Sequence, residues 1–182
     1  MSNNSTKTQV LHEASRMVLA KGLNGFSLQE LAESLNIKKA SLFHHYPSKK
    51  ILAIELYRFY QEAFVSWTKK YEDLTPEKQI TNYVKKLQTW ICEKKRVCPV
   101  GALSLEWHLV EPELQIEIKN LHELQKSWLS KQFKQIEVKI PKQDAVIGTM
   151  ALIQGSIQLA RINDNPELVT QNLKLYLKSI KK

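Results

Sequence analysis

Apolar residues along this chain recur at helical spacing, and the residues that break helices stand between those recurrences. Val10, Ala14, Met17 and Val18 share one helical face, and Gly22 follows where a left-handed C-terminal residue is wanted. Ser27 and Glu30 form a capping-box pair, behind which Leu28, Leu31, Ala32 and Leu35 turn inward. Asn36 falls in the next turn, and a short helix runs from about Lys38 to His45. Pro47 ends that helix, and Ser48 caps a longer one carrying Ile51, Leu52, Ile54, Leu56, Tyr57 and Phe59. Five Gly and six Pro in 182 residues leave few places for the turns a sheet requires.

The rest of the chain repeats the pattern. Thr75-Pro76-Glu77 opens a helix with Ile80, Val84, Leu87 and Ile91 inward, and residues 94–101 form a break. A short apolar helix is expected from Ala102 to His108. Glu111-Pro112-Glu113 then starts another helix, with Leu114, Ile118, Leu121 and Trp128 on one stripe. Pro141 precedes a helix over 143–162 that is apolar nearly all round and so belongs in an interior. Asn165-Pro166-Glu167 begins the last, with Val169, Leu173, Tyr176 and Ile180 in register. The expected fold is all-α, roughly nine helices, with an N-terminal three-helix domain over residues 1–50 and a larger helical domain over 51–182.

Charge points to a partner. Lys and Arg exceed Asp and Glu by nine, and residues 1–50 hold seven basic against three acidic side chains. A basic surplus concentrated at one end favours a nucleic acid or another polyanion without dictating a fold. Cys92 and Cys98 make no disulfide framework, so a reduced, cytoplasmic setting is expected. Residues 1–9 are polar rather than a leader, and Thr149, Gln154, Ser156 and Gln158 interrupt the longest apolar region, so no membrane partner is expected.

Residues 27–50 read as a helix-turn-helix, the second helix being short and polar on one side. Leu28, Leu31 and Leu35 brace the first helix, and Ile37 and Leu42 pin the second. That frees Lys38, Lys39, Ala40, Ser41 and His44 to face a groove. Lysine reaches guanine O6/N7 or phosphate, and a small Ala40 permits close approach to a base edge or a thymine methyl. Ser27 and Ser41 offer hydroxyls to phosphate, and Lys49 stands in the first turn of the next helix as a point charge. The alternative is a basic, solvated corner. His44 and His45, adjacent on a helix, point about 100° apart and cannot share a metal as an i, i+4 pair would.

The run VLHEASRMVLAKGLNGFSLQELAESLNIKKASLFHHYPSKKIL resembles the N-terminal domain of the tetracycline-repressor (TetR) family of transcription regulators. The Ala-Lys-Gly of residues 20–22, the Ser27-capped helix and ASLFHHYPSKK carry the likeness. It implies a homodimeric all-α repressor whose two reading helices enter successive major grooves of double-stranded operator DNA. It also implies that Ser27, Ser41, His45 and Lys49 meet phosphates while Lys38, Lys39, Ala40 and His44 approach bases. Phe43 stands where the family usually has a tyrosine that reaches phosphate, so that hydroxyl contact is missing.

In that family the C-terminal region holds a ligand pocket and a dimer interface, and CPVGALSLEW (98–107) resembles a stretch of some members. Trp90, Trp107, His108, Trp128, Met150 and Gln154, with Phe133, are candidates to line a cavity for a small-molecule effector; each aromatic equally well fills a core. Gly148, Ala151, Gly155 and Ala160 allow close approach of a partner helix, and Val169, Leu173, Tyr176 and Ile180 supply an apolar stripe for a dimer interface, or for packing within the chain. Lys94, Lys95 and Arg96 beside Cys92 and Cys98 suggest a redox sensor, or two core cysteines flanking a solvated loop. An enzyme is not expected: no Gly-rich phosphate loop, HExxH, GxSxG or paired carboxylates stand out, and no cofactor or metal is implied. A helical adaptor binding anionic partners is the remaining alternative, though residues 38–45 lack the exposed apolar face that lipid binding wants.

Overall fold

The computed structural model describes residues 3–94, 97–104 and 106–182, and side chains among these outside 3–5 and 91–94. Among the described residues the chain forms nine α-helices: α1 (Asn3–Lys21), α2 (Leu28–Ser34), α3 (Lys39–His45), α4 (Lys49–Lys70), α5 (Pro76–Lys94), α6 (Pro99–Ala102), α7 (Pro112–Gln135), α8 (Lys142–Ile162) and α9 (Glu167–Ile180). One 3-10 turn, Trp107–Leu109, precedes α7. There is no strand among them, only an isolated bridge between Val138 and Lys181.

The helix boundaries follow the punctuation. Gly22 takes φ 77° and donates to the Val18 carbonyl at 2.9 Å, closing α1. Asn36 turns the chain between α2 and α3 at φ 52°, a left-handed value asparagine tolerates. Ser48 Oγ accepts from Ile51 N at 3.2 Å at the start of α4, and Asn165 Oδ1 accepts from Glu167 N at 3.2 Å at the start of α9. One element differs from expectation. The short helix lies at Pro99–Ala102, not from Ala102 to His108. Proline is pre-organised for a first helical turn, and Gly101 weakens its continuation.

Two compact units emerge: Met1–Glu62 with Pro99–Leu121, and Ala63–Cys98 with His122–Lys182. They do not part at residue 50, because the first half of α4 is bound into the first unit. There Tyr60 Oη donates to Ser15 Oγ at 3.0 Å, and Tyr57 Oη donates to the Pro99 carbonyl at 2.8 Å. The core of this unit collects Val10, Ala14, Leu31, Leu42, Tyr46, Leu52 and Leu56, all buried.

In the second unit α9 packs on α5 and α8. Val169, Leu173, Leu177 and Ile180 are all buried there, and Lys181 pairs with Glu77 at 2.8 Å. Phe64, Trp67, Tyr83 and Trp128 meet mostly edge to face, with neighbouring centroids 5.4 to 6.3 Å apart. By length and hydropathy α8 is the one helix among the described residues that matches a membrane span. It packs as a core helix does: Thr149 and Ser156 are buried, and Asn172 Nδ2 donates to Ser156 Oγ at 3.1 Å.

Burial, and then the Glu55 carboxylate, raise the Tyr46 phenol from 10.0 to about 12. The folded chain thus holds this proton more tightly than the unfolded chain. Tyr46 therefore contributes nothing to pH dependence below pH 10, and stability falls as pH rises from 10 to about 12. Tyr46→Phe should flatten that fall in denaturant titrations repeated at each pH; an equally steep loss in the variant would assign it to other groups.

Candidate nucleic-acid interface

The candidate interface is built from α2, capped at Ser27, and α3, whose N-cap residue Lys38 makes no side-chain cap bond. Ser27 Oγ accepts from Glu30 N at 3.1 Å, and the Glu30 carboxylate accepts from Ser27 N at 2.5 Å. That backbone bond holds the Glu30 carboxyl below its usual range. Both N–H groups are satisfied, so α2 starts at a fixed point in the chain. Leu31 and Leu42 are fully buried, and Ile37 N donates to the Ala32 carbonyl at 3.0 Å across the turn.

Leu42 fixes the roll of α3. At about 100° per residue, the direction opposite Leu42 falls between Ala40 and His44. Both are exposed, as are Lys38, Lys39 and Ser41. His45, nearer the buried side, is half-exposed and stands 5.4 Å from the His44 ring. Of the eight proposed DNA contacts, six are thus exposed together on the Ser27–His44 stretch, and His45 and Lys49 are half-buried.

Lys49 is held in a way the sequence did not reveal. Its ammonium donates to the Phe26 carbonyl and lies 4.5 Å from the centroid of the buried Phe26 ring. Burial pulls its pKa down, and Glu30 opposes that shift. An ammonium has three donors, so two remain for phosphate. Lys50 differs: it bridges Glu111 at 2.7 Å and Glu113 at 2.9 Å, and its charge is spent within the first unit. Glu106 similarly accepts from Asn24 Nδ2 at 3.1 Å. Nothing in the local sequence around Phe26, Glu106 or Glu111 signals these contacts, because their partners lie far along the chain.

The effector candidates do not gather in one unit. Trp107, half-buried beneath Lys119, and His108, exposed, lie in the first. Trp90, Met150 and Gln154 are half-buried in the second, where Trp128 and Phe133 are buried. A cavity of about 420 Å³ in the second unit is lined by Trp128 together with Gln79, Gln132, Thr68 and Lys131. Gln132 is only 2% exposed, its Nε2 makes one long bond of 3.4 Å to the Trp128 carbonyl, and its Oε1 has no partner. The signal for Gln132 was present: it continues the stripe Leu114, Ile118, Leu121, Gln125, Trp128 at helical spacing, a polar group on an inward face.

The dimer stripe needs correction. Val169, Leu173 and Ile180 are buried within the chain by α5 and α8 and are not free for a partner. Tyr176 is half-buried, its hydroxyl reaching the Ala145 carbonyl at 3.4 Å and crowding Gly148, where a side chain would collide with it. Ala151 and Gly155 are exposed, and Gly155 has open space where a Cβ would stand. With Ile147, Leu159 and Ile162 they form an exposed apolar stripe along α8. Cys98 is 1% exposed, whereas the Cys92 side chain, Lys95 and Arg96 lie outside the described residues, so the redox arrangement has no described geometry.

Comparisons with known proteins agree with this geometry. Residues 10–56 match the model of the bacterial regulatory proteins, tetR family. The biofilm operon icaADBC HTH-type negative transcriptional regulator IcaR of Staphylococcus aureus is 43% identical over 44 residues, 24% of this chain. Its Staphylococcus epidermidis counterpart is 38% identical over 52 residues. The match spans only 24% and 26% of the length of these two curated relatives, about a quarter. A TetR-family regulator from Agrobacterium tumefaciens has the same fold over all of both chains (TM-score 0.89, 20% identity). A TetR regulator from Legionella pneumophila does so over 100% of this chain and 99% of that one (TM-score 0.87, 20% identity).

Replacing Lys49 by Met should lower the slope of log affinity against log salt by about one per half-site. Loss of the Phe26 anchor should cost about 1.5 kcal/mol of stability as well. Duplex titrations over a salt series, beside thermal melts, separate the two. A lower melting temperature with an unchanged slope would make Lys49 a brace for the Phe26 loop alone.

Proposed function

We propose that this chain, whose residues 10–56 match the tetR family of bacterial regulatory proteins, is a dimeric, sequence-specific transcriptional repressor that a small-molecule effector releases from its operator. One observation carries the reading. A two-helix unit, capped at Ser27 and seated by fully buried Leu31 and Leu42, leaves Lys38, Lys39, Ala40, Ser41 and His44 all exposed at and around α3, with Ala40 and His44 directed away from Leu42. Lysine and histidine donors around a small central residue suit a major groove, and the flanking hydroxyls and Lys49 suit its phosphates. The repressing sign follows the relatives named negative regulators, whose similarity lies in this same head.

Two heads require two chains. The exposed stripe Ile147, Ala151, Gly155, Leu159, Ile162 on α8, beside exposed Leu175 on α9, is the surface that supports self-association. A symmetric dimer carries two copies of α3, one for each of two half-sites about one helical turn apart or somewhat more. The cavity beside Trp128, lined mostly by polar side chains such as Thr68, Gln79, Lys131 and Gln132, supports a polar effector that rests one apolar edge on Trp128. Release needs the effector to prefer the conformation that does not fit the operator.

Selection from a random duplex library should recover a pseudo-palindrome; recovery of no preference, or of single strands only, would overturn the reading. Leu159→Arg should sediment as a monomer with helicity unchanged, since it meets solvent in one chain and an apolar surface in two. Leu173→Arg should instead unfold the second unit. A Leu159→Arg dimer would move the interface off α8.

A further inference from the structure

The reading face of α3 carries one residue that neither charge nor hydrogen bonding explains. Phe43 is 37% exposed, a phenyl ring in a helix whose other exposed members are Lys39, Ala40, Ser41 and His44. Its place follows from Leu42: one residue on, Phe43 points about 80° to one side of the Ala40–His44 centre line. Lys39, one turn earlier, is on the same side, and its ammonium stands 5.5 Å from the ring centroid. The ring therefore faces outward beneath a cation.

An exposed phenyl ring offers a polyanion no hydrogen bond. What it can bury is apolar surface, and the floor of the major groove has one projecting apolar group, the thymine C5-methyl. A lysine over the ring keeps that contact beside a positive charge, which a neighbouring guanine edge or phosphate answers. Deoxyribose carbons are the other apolar feature within reach, and they carry no sequence information.

We infer that Phe43 is a specificity-determining residue that reads thymine in each half-site by packing on its methyl group. The inference rests on the DNA-reading role argued above. Cytosine at that position lacks the methyl, and so does deoxyuridine, which otherwise pairs as thymine does.

The test uses the whole protein and the duplex recovered by selection. Each thymine of one half-site is replaced in turn by deoxyuridine, and affinity is measured for the wild type, Phe43→Ala and Phe43→Tyr. At one thymine per half-site the wild type should lose about fourfold, the value of one buried methyl group. Phe43→Ala should bind the thymine and deoxyuridine duplexes equally at that position, and Phe43→Tyr, which keeps the ring, should retain the difference. Phe43 lies outside the core, so each variant should stay folded, which thermal melts check. A selected half-site without thymine, a wild type indifferent to every replacement, or a Phe43→Ala that still distinguishes the pair overturns the inference while leaving DNA binding intact. Failure to bind any duplex would instead remove the DNA-reading role, and the inference with it.

Discussion

The seating of Leu42 against the core of the first unit decides what α3 can do. A seven-residue helix is too short to hold itself in water, so its existence depends on the side chains it buries. Leu42 and Tyr46 are completely buried, and their removal from water fixes both the position and the roll of the helix. Once the roll is set, the outward residues have no further choice. Ala40 and His44 face out because Leu42 faces in, and exposed Lys38, Lys39 and Ser41 flank them. The Ser27–Glu30 capping box adds the second constraint, since it fixes where α2 begins and hence where the turn at Asn36 delivers α3.

Around this head, charge is sorted rather than merely abundant. Lys50 is answered by Glu111 and Glu113, and Arg58 by Glu55 and Glu117. Those exposed pairs add little stability individually. Their consequence is spatial: Lys50 and Arg58 are answered by carboxylates, whereas Lys38 and Lys39 make no ion pair among the described residues. The second unit shows the same economy with apolar surface. Helix α9 spends its stripe on α5 and α8, with Tyr176 closing on Gly148, and the apolar residues left over line one side of α8.

Local signals locate the helices, because caps and breakers act over a few residues. Gly22, Ser27, Asn36, Ser48 and Asn165 each do in the fold what their chemistry suggests, and family likeness assigned the head. Pro99 shows where such reading slips: a proline just after a basic stretch reads as part of a break, yet it starts α6. The larger failure concerns partners. Val169, Leu173 and Ile180 announce an apolar face, but periodicity cannot say whether the same chain or a second copy covers it. Lys49 likewise reads as a surface cation until Phe26, 23 residues earlier, is seen beneath it. The tryptophans were grouped by type, and the fold distributes them between two units.

We propose that duplex DNA sits on the face of α3 turned away from Leu42. Amide hydrogen exchange of the full chain, with and without the selected duplex, addresses this directly. Slower exchange is expected across residues 27–50, strongest in α3, with α5 unchanged. Unchanged exchange in α3 alongside protection elsewhere on the chain would contradict it.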